Sequence, residues 1–191
     1  MRAILRSLTL TLALFAPAAF AEGLYQVEMI LVRQNAVPAV TSPAAPEDWS
    51  AGAPRLAREA ERPVTLEEEA TRLQATPSYT VLLHKAWQQE VGSEPVRIAL
   101  GEGEEQFGHF PVEGVLSLVQ GRFIGAQATF WVNRLDGNGR VLQSELFRQG
   151  NGTVKRGQLT FLDGGHLALL LKVAAVGARK MPMPDPEMME Q

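Results

Sequence analysis

Hydrophobic alternation at period two, interrupted by short turn signals, dominates the chain from Tyr79 to Val176. The clearest case is residues 112–134. Leu116, Leu118, Ile124, Ala126, Ala128, Phe130 and Val132 all occupy even positions, whereas Gln127, Thr129, Trp131 and Asn133 occupy odd ones. Successive side chains of a strand point to opposite faces of a sheet, so one shared parity means one shared apolar face. A helix would scatter the same residues around its circumference. Strands are therefore predicted over Val112–Gln120, Arg122–Arg134, Val141–Gln149 and Leu159–Leu162. The turn signals between and after them are DGNG at 136–139, Asn151-Gly152, Arg156-Gly157 and Asp163-Gly164-Gly165. Short turns join antiparallel neighbours. The nearly continuous apolar run His166–Val176 fits a central strand or a buried helix, and the successive turns before it favour the strand.

The first half is less uniform. Leu24–Arg33 is β-branched or aromatic at alternate positions and predicts an opening strand. Residues 34–64 carry prolines at 38, 43, 46, 54 and 63. Proline breaks a ladder, so this segment is expected to be a long disordered loop with at most a helical turn near Arg55–Glu61. Deleting Val40–Ala53 should then barely change thermal unfolding. Thr65-Leu66-Glu67-Glu68 has the form of a capping box, and Leu66, Ala70 and Leu73 share one helical face. With Glu68 and Arg72 spaced for an i,i+4 pair and Pro77 beyond the end, a helix is predicted over Leu66–Ala75. In Tyr79–Gln89, alternation puts Tyr79, Val81, Leu83 and Trp87 on one face and Thr80, His84 and Gln88 on the other. The expected fold is α+β: a mostly antiparallel β-sheet with one early helix packed on it, in a single domain of residues 22–177.

The ends read differently. Arg2 and Arg6 precede an apolar run from Leu8 to Phe15, and Ala19-Phe20-Ala21 has the form of a cleavage site. Residues 1–21 are thus expected to be a secretory signal peptide, with the product in the periplasm or outside. The run is shorter than the roughly 20 residues a membrane span needs. Residues 178–191, with three prolines and four methionines, are expected to be a disordered tail.

Composition excludes several functions. The chain has no cysteine, which removes disulfides, thiolate chemistry and a lipid-anchoring cysteine. Loss of Arg2 and Arg6 with the leader would take the net charge from −3 to −5. A mildly acidic domain lacks the basic footprint of a nucleic-acid binder. GEGEEQFG at 101–108 lacks the third glycine of a dinucleotide loop and places acids where phosphates would sit. Phe147 stands where a calcium loop starting at Asp136 needs its twelfth-position Glu. His84, His109 and His166 lack zinc-site spacing, and no G-x-S-x-G or S-x-x-K occurs. No cofactor or metal is expected.

Two groups of residues could contact a ligand. His84, Trp87 and Gln88 cluster on one strand, either as a core indole with ordinary neighbours or as an indole platform beside hydrogen-bonding tips. Trp131 shares its parity with Gln127, Thr129 and Asn133, opposite the apolar face. Such an indole suits a sugar face or a partner protein, and packing under a loop fits equally well.

The stretch YTVLLHKAWQQ (79–89) resembles the "Y-x-V-L-x-H-x-x-W-x-Q" signature of the CsiV-type periplasmic peptidoglycan-binding family, following a helix like LEEEATRLQA. YQVEMILV resembles that family's opening strand. GVLSLVQGRF resembles its "G-x-x-x-x-x-x-x-R-Y" strand, which draws attention to Arg122. GQLTFLDGGHLALLLKV resembles its closing segment. Departures fall at Arg122-Phe123-Ile124-Gly125, where the family has "R-Y-L-H", and at Asp163-Gly164-Gly165, where it has "D-H-P". Lys155-Arg156-Gly157-Gln158 shortens a basic run.

The resemblance implies a periplasmic, non-catalytic protein of a Gram-negative envelope. It would bind peptidoglycan and assist cell-wall assembly and cell shape, together with a peptidoglycan synthase or its activator. The residues proposed to meet the ligand are His84, Trp87, Gln88, Arg122 and Trp131. Two rivals stay open: a cell-wall hydrolase using carboxylates such as Glu113 or Glu145, and a scaffold that pairs through an edge strand.

Overall fold

A computed structural model describes residues 23–177. The expected leader and tail lie outside the described residues. The chain runs β1 (Gly23–Gln34), β2 (Thr41–Ser42), a 3-10 turn (Arg58–Ala60), helix α1 (Glu67–Gln74), β3 (Tyr79–Val91), β4 (Val96–Glu102), β5 (Val112–Gln120), β6 (Ile124–Leu135), β7 (Val141–Val154), β8 (Leu159–Asp163) and β9 (Leu167–Ala175). The expected α+β class is the observed one. The strands divide into two antiparallel sheets. Sheet A has the order β3-β1-β9-β8, and sheet B the order β2-β7-β6-β5-β4.

The two sheets face each other across one core. Sheet A contributes Val27, Met29, Leu31, Leu83, Trp87, Leu169 and Leu171, and sheet B contributes Leu116, Leu118, Ile124, Ala126, Ala128, Phe130 and Phe147. The even parity of β5 and β6 is thus the inward face, and Val132 packs at its margin. Fully burying each large apolar side chain contributes about 1.5–3 kcal/mol, so a domain without cysteine can rely on this layer. Gly114 permits the close fit of Phe130, whose ring occupies the space a Cβ would take. At one end of the layer, Arg33 on β1 and Glu145 on β7 tie the sheets together with a 2.6 Å ion pair.

The outer face of sheet A is covered by α1. Leu66 and Ala70 are buried against Ile30, Val32 and Ala168, with Leu73 beside them. An eight-residue helix is too short to stand alone, and this packing supports it. The capping box does not form. The Thr65 hydroxyl instead donates to the Glu28 carboxylate of β1, which also accepts the backbone N–H groups of Thr65 and Leu66 at 2.8 Å. A carboxylate at the helix start also opposes the helix dipole. Arg72 approaches Glu69 at 3.6 Å rather than pairing with the Glu68 side chain.

Two strand readings are corrected by bulges. Leu31 pairs with Leu83 but Val32 pairs with Val81, so Leu82 is an extra residue in β3. The bulge reverses the parity. Tyr79 and Val81 pack under the helix, whereas Leu83 and Trp87 enter the inter-sheet core. In β7, Asn151-Gly152 is not a turn. Ala126 pairs with Gly152 and Ala128 with Gln149, and the strand continues through this irregularity to Val154.

The Pro/Ala segment is not a disordered loop. Thr41 and Ser42 pair with Glu145 and Ser144, and Ala45, Trp49 and Ala53 are buried. Trp49 is only 4% exposed, packing with Ala53, Ala99 and Val115 on the outer face of sheet B. Further on, Arg55 bridges to Ala99, and Glu61 to Trp87 at the edge of sheet A. Prolines prevent this segment from forming a regular ladder, but isolated indole and methyl groups suffice to seat it. Among the described residues, no helix is long and apolar enough to cross a membrane.

Candidate functional site

The outward face of sheet B is built in rows of paired residues. One row holds Gly101, Glu113, Trp131 and Leu146; the next holds Ala99, Val115, Thr129 and Arg148; a third begins with Arg97, Ser117 and Gln127. The 43–56 segment covers one end of this face and leaves a groove of about 240 Å³ beside it. Trp49 and Trp131 form its aromatic end, Ser117, Gln127 and Thr129 its polar floor, and Arg97 and Arg148 its flanks. Trp131 is half-buried and packs against the Trp49 cluster. It projects from the polar face, and a loop covers one side of it.

A buried polar relay holds the walls. Glu113, fully buried on β5, accepts from His109 Nδ1 at 2.7 Å, from the Phe110 backbone N–H at 2.9 Å and from Asn133 Nδ2 at 2.8 Å. Ser144 Oγ donates to Asn133 Oδ1 at 2.6 Å and accepts the Ala45 N–H at 2.9 Å. One chain of hydrogen bonds thus links the 105–110 loop to the 43–56 segment across β5, β6 and β7. The Trp49 indole N–H donates to the Gly108 carbonyl at 2.9 Å, and Phe110 meets Trp49 edge-on with ring centres 6.0 Å apart. Arg55 lies against both rings and forms a two-pronged pair with Glu105. Buried polar groups that are all satisfied hold a wall in one geometry.

The five residues singled out from sequence do not form one site. Trp87 is wholly inside the inter-sheet core, its indole donating to Gln89 Oε1 at 2.6 Å, so no ligand reaches it. His84 lies on the other side of sheet A with Nε2 2.9 Å from Glu28 Oε1. Gln88 is half-buried on the same side as His84. Arg122 is exposed in the β5–β6 turn, its guanidinium 5.6 Å from the Phe123 ring. Of the five, only Trp131 lines the groove. Glu113 and Glu145 do not face each other. Glu113 projects outward from sheet B, whereas Glu145 pairs across from Val132 on the inward side and is held by Arg33.

Trp49, Arg97 and Arg148 were missed. A tryptophan isolated among prolines and alanines is itself a signal, since so large an apolar surface seldom goes uncovered. Arg97 and Arg148 carried no local signal, because they meet only across four strands.

The family model for CsiV, a peptidoglycan-binding protein, matches residues 4–59 and 50–176. The chain belongs to this family. No curated protein and no solved structure matches the chain. The matched span contains both sheets, the helix and every residue of the groove, with Trp49 in the first of the two matched ranges.

Proposed function

We propose that this protein is a non-catalytic peptidoglycan binder of the periplasm that assists cell-wall assembly and cell shape, acting beside a peptidoglycan synthase or its activator. Family membership supports the binding role. The observation that carries the location is Trp131, half-buried at the end of a groove whose floor offers Ser117 and Thr129 hydroxyls and the Gln127 amide. None of these three side chains makes a hydrogen bond among the described residues. An indole supplies rigid apolar area for a sugar face or an acyl methyl, and unpaired polar tips can hydrogen-bond glycan hydroxyls and peptide amides. Glycan cleavage uses two carboxylates flanking the scissile bond. Glu113 and Glu145 point away from each other and are both engaged, which favours adhesion over hydrolysis.

The test is Trp131→Ala assayed on purified sacculi and by chemical denaturation. Because the indole is half-buried, we expect a stability loss of about 1–2 kcal/mol, below the 3–5 of a core tryptophan, with most of the sacculus binding gone. Full binding by the variant would move the site elsewhere. Release of soluble fragments by the intact protein would replace adhesion with hydrolysis.

A further inference from the structure

We infer that the groove recognises the carboxylates of the peptidoglycan stem peptide, with Arg97 and Arg148 as the two recognition residues. This rests on the peptidoglycan-binding reading above. Arg33, Arg55 and Arg72 each pair with a glutamate. Arg97 and Arg148, like several other arginines, form no ion pair among the described residues; both are exposed, and they are the arginines that line this groove. Arg97 donates to the Ala51 carbonyl at 3.1 Å, which leaves most of its fork free. Among the described residues, no carboxylate lines the groove. The nearest in the pairing rows, Glu113, is buried and fully engaged.

Two unpaired guanidiniums flanking one groove make a local excess of positive charge on a chain whose acids outnumber its bases. The ligand that complements it is anionic. A guanidinium fork matches a carboxylate in two parallel hydrogen bonds. In intact peptidoglycan the N-acetylated sugars are neutral, and the lactyl carboxyl of each muramic acid is consumed in its amide bond to the peptide. The free carboxylates therefore belong to the stem peptide. The two arginines start from β4 and β7, with β5 and β6 between them. Three strand spacings of about 4.8 Å, together with a step of two residues along the strands, separate their backbones. That span suits an extended peptide bearing more than one carboxylate. Ser117, Gln127 and Thr129 lie between for its amides, and Trp49 and Trp131 for its alanine methyls.

The experiment compares intact sacculi, sacculi whose carboxylates have been converted to neutral amides, a soluble disaccharide-peptide, and peptide-stripped glycan strands. The protein is used as wild type, Arg148→Gln, Arg148→Lys and Arg97→Gln. We expect wild type to bind intact sacculi and the disaccharide-peptide, and to bind amidated sacculi at least about tenfold more weakly. Each Gln variant should lose about five- to tenfold with unchanged thermal unfolding, Arg148→Lys should lose less, and added salt should weaken wild type more than the variants. If Arg97→Gln loosens the 43–56 segment, Arg148→Gln decides, because Arg148 makes no hydrogen bond through its side chain among the described residues. Equal binding to intact and amidated sacculi, or full binding by Arg148→Gln, overturns this inference and leaves the peptidoglycan reading standing. Stripped glycan exposes lactyl carboxylates, so competition by it equal to the disaccharide-peptide overturns the stem-peptide assignment. Failure of wild type to bind any sacculus overturns the peptidoglycan reading itself.

Discussion

The outer faces of the two sheets are covered in different ways by related devices. On sheet A, a helix lays Leu66 and Ala70 over Ile30, Val32 and Ala168, and Glu28 accepts the first backbone N–H groups of the covering segment with His84 beside it. On sheet B, a proline-rich segment and the 105–110 loop cover only part of the face. Glu113 accepts a covering N–H there, with His109 beside it. In both places a sheet carboxylate holds a cover through backbone donors and one imidazole. The covers differ in reach. A helix presents a continuous apolar stripe and seals what it covers. An irregular segment seals through single side chains such as Trp49 and leaves polar sheet surface open beside them. The open groove follows from covering a sheet with a loop instead of a helix.

The largest effect should come from removing the cover of sheet B. Replacing Val40–Ala53 with a short flexible linker removes β2, Trp49 and the Ala45 end of the relay. We expect a loss of at least about 4 kcal/mol in denaturant unfolding, since loss of a buried tryptophan alone costs about 3–5. Unchanged stability would show that the segment only rests on the sheet.

The two carboxylate pins should differ next. Glu113→Ala leaves the Phe110 N–H, Asn133 and His109 without their acceptor in a fully buried position. Each orphaned group costs about 1–3 kcal/mol, so a total of at least about 3 is expected, with a change in Trp49 fluorescence as a second readout. Glu28→Gln should cost less, about 1–2 kcal/mol at neutral pH, because a cleft of about 340 Å³ beside Glu28 and Thr65 lets water replace lost bonds. A larger loss for Glu28→Gln than for Glu113→Ala would reverse the ranking.

The smallest effect is a difference in acid response. Burial raises the Glu28 carboxyl, but donation from the Thr65 hydroxyl, the Leu66 N–H, His84 and the Thr65 N–H outweighs it and holds the group below its ordinary 4.5. A carboxyl lowered in the folded state contributes stability above its unfolded pKa, and that stability is lost as pH falls through the folded one. Wild type should therefore lose the Glu28 contribution as pH drops below about 4.5. The Glu28→Gln variant should lack that component, so the two stability curves should converge in acid. Parallel curves down to the acid limit would refute the pin.

The sequence alone marks most of the strands, the inward face of β5 and β6, and the helix with its packed side. All of these are written in local period, which an alternating or 3.6-residue pattern reveals within a dozen residues. It also placed Trp131 opposite the core. Parity says which face a side chain takes, not what covers that face. Long-range packing puts Trp49 beside Trp131, makes Leu82 bulge and turns Tyr79 and Val81 under the helix, and lends Thr65 to Glu28 instead of its own helix. Bonds such as Trp49 to Gly108, Ala45 to Ser144 and Arg33 to Glu145 join residues 59, 99 and 112 positions apart. A local pattern can flag Trp49 as a side chain in need of cover, but none says which distant residue each of these groups will meet. The groove exists because strands β4 to β7 carry Arg97 and Arg148 to its two sides, and strand pairing is a long-range choice that residue spacing alone leaves open.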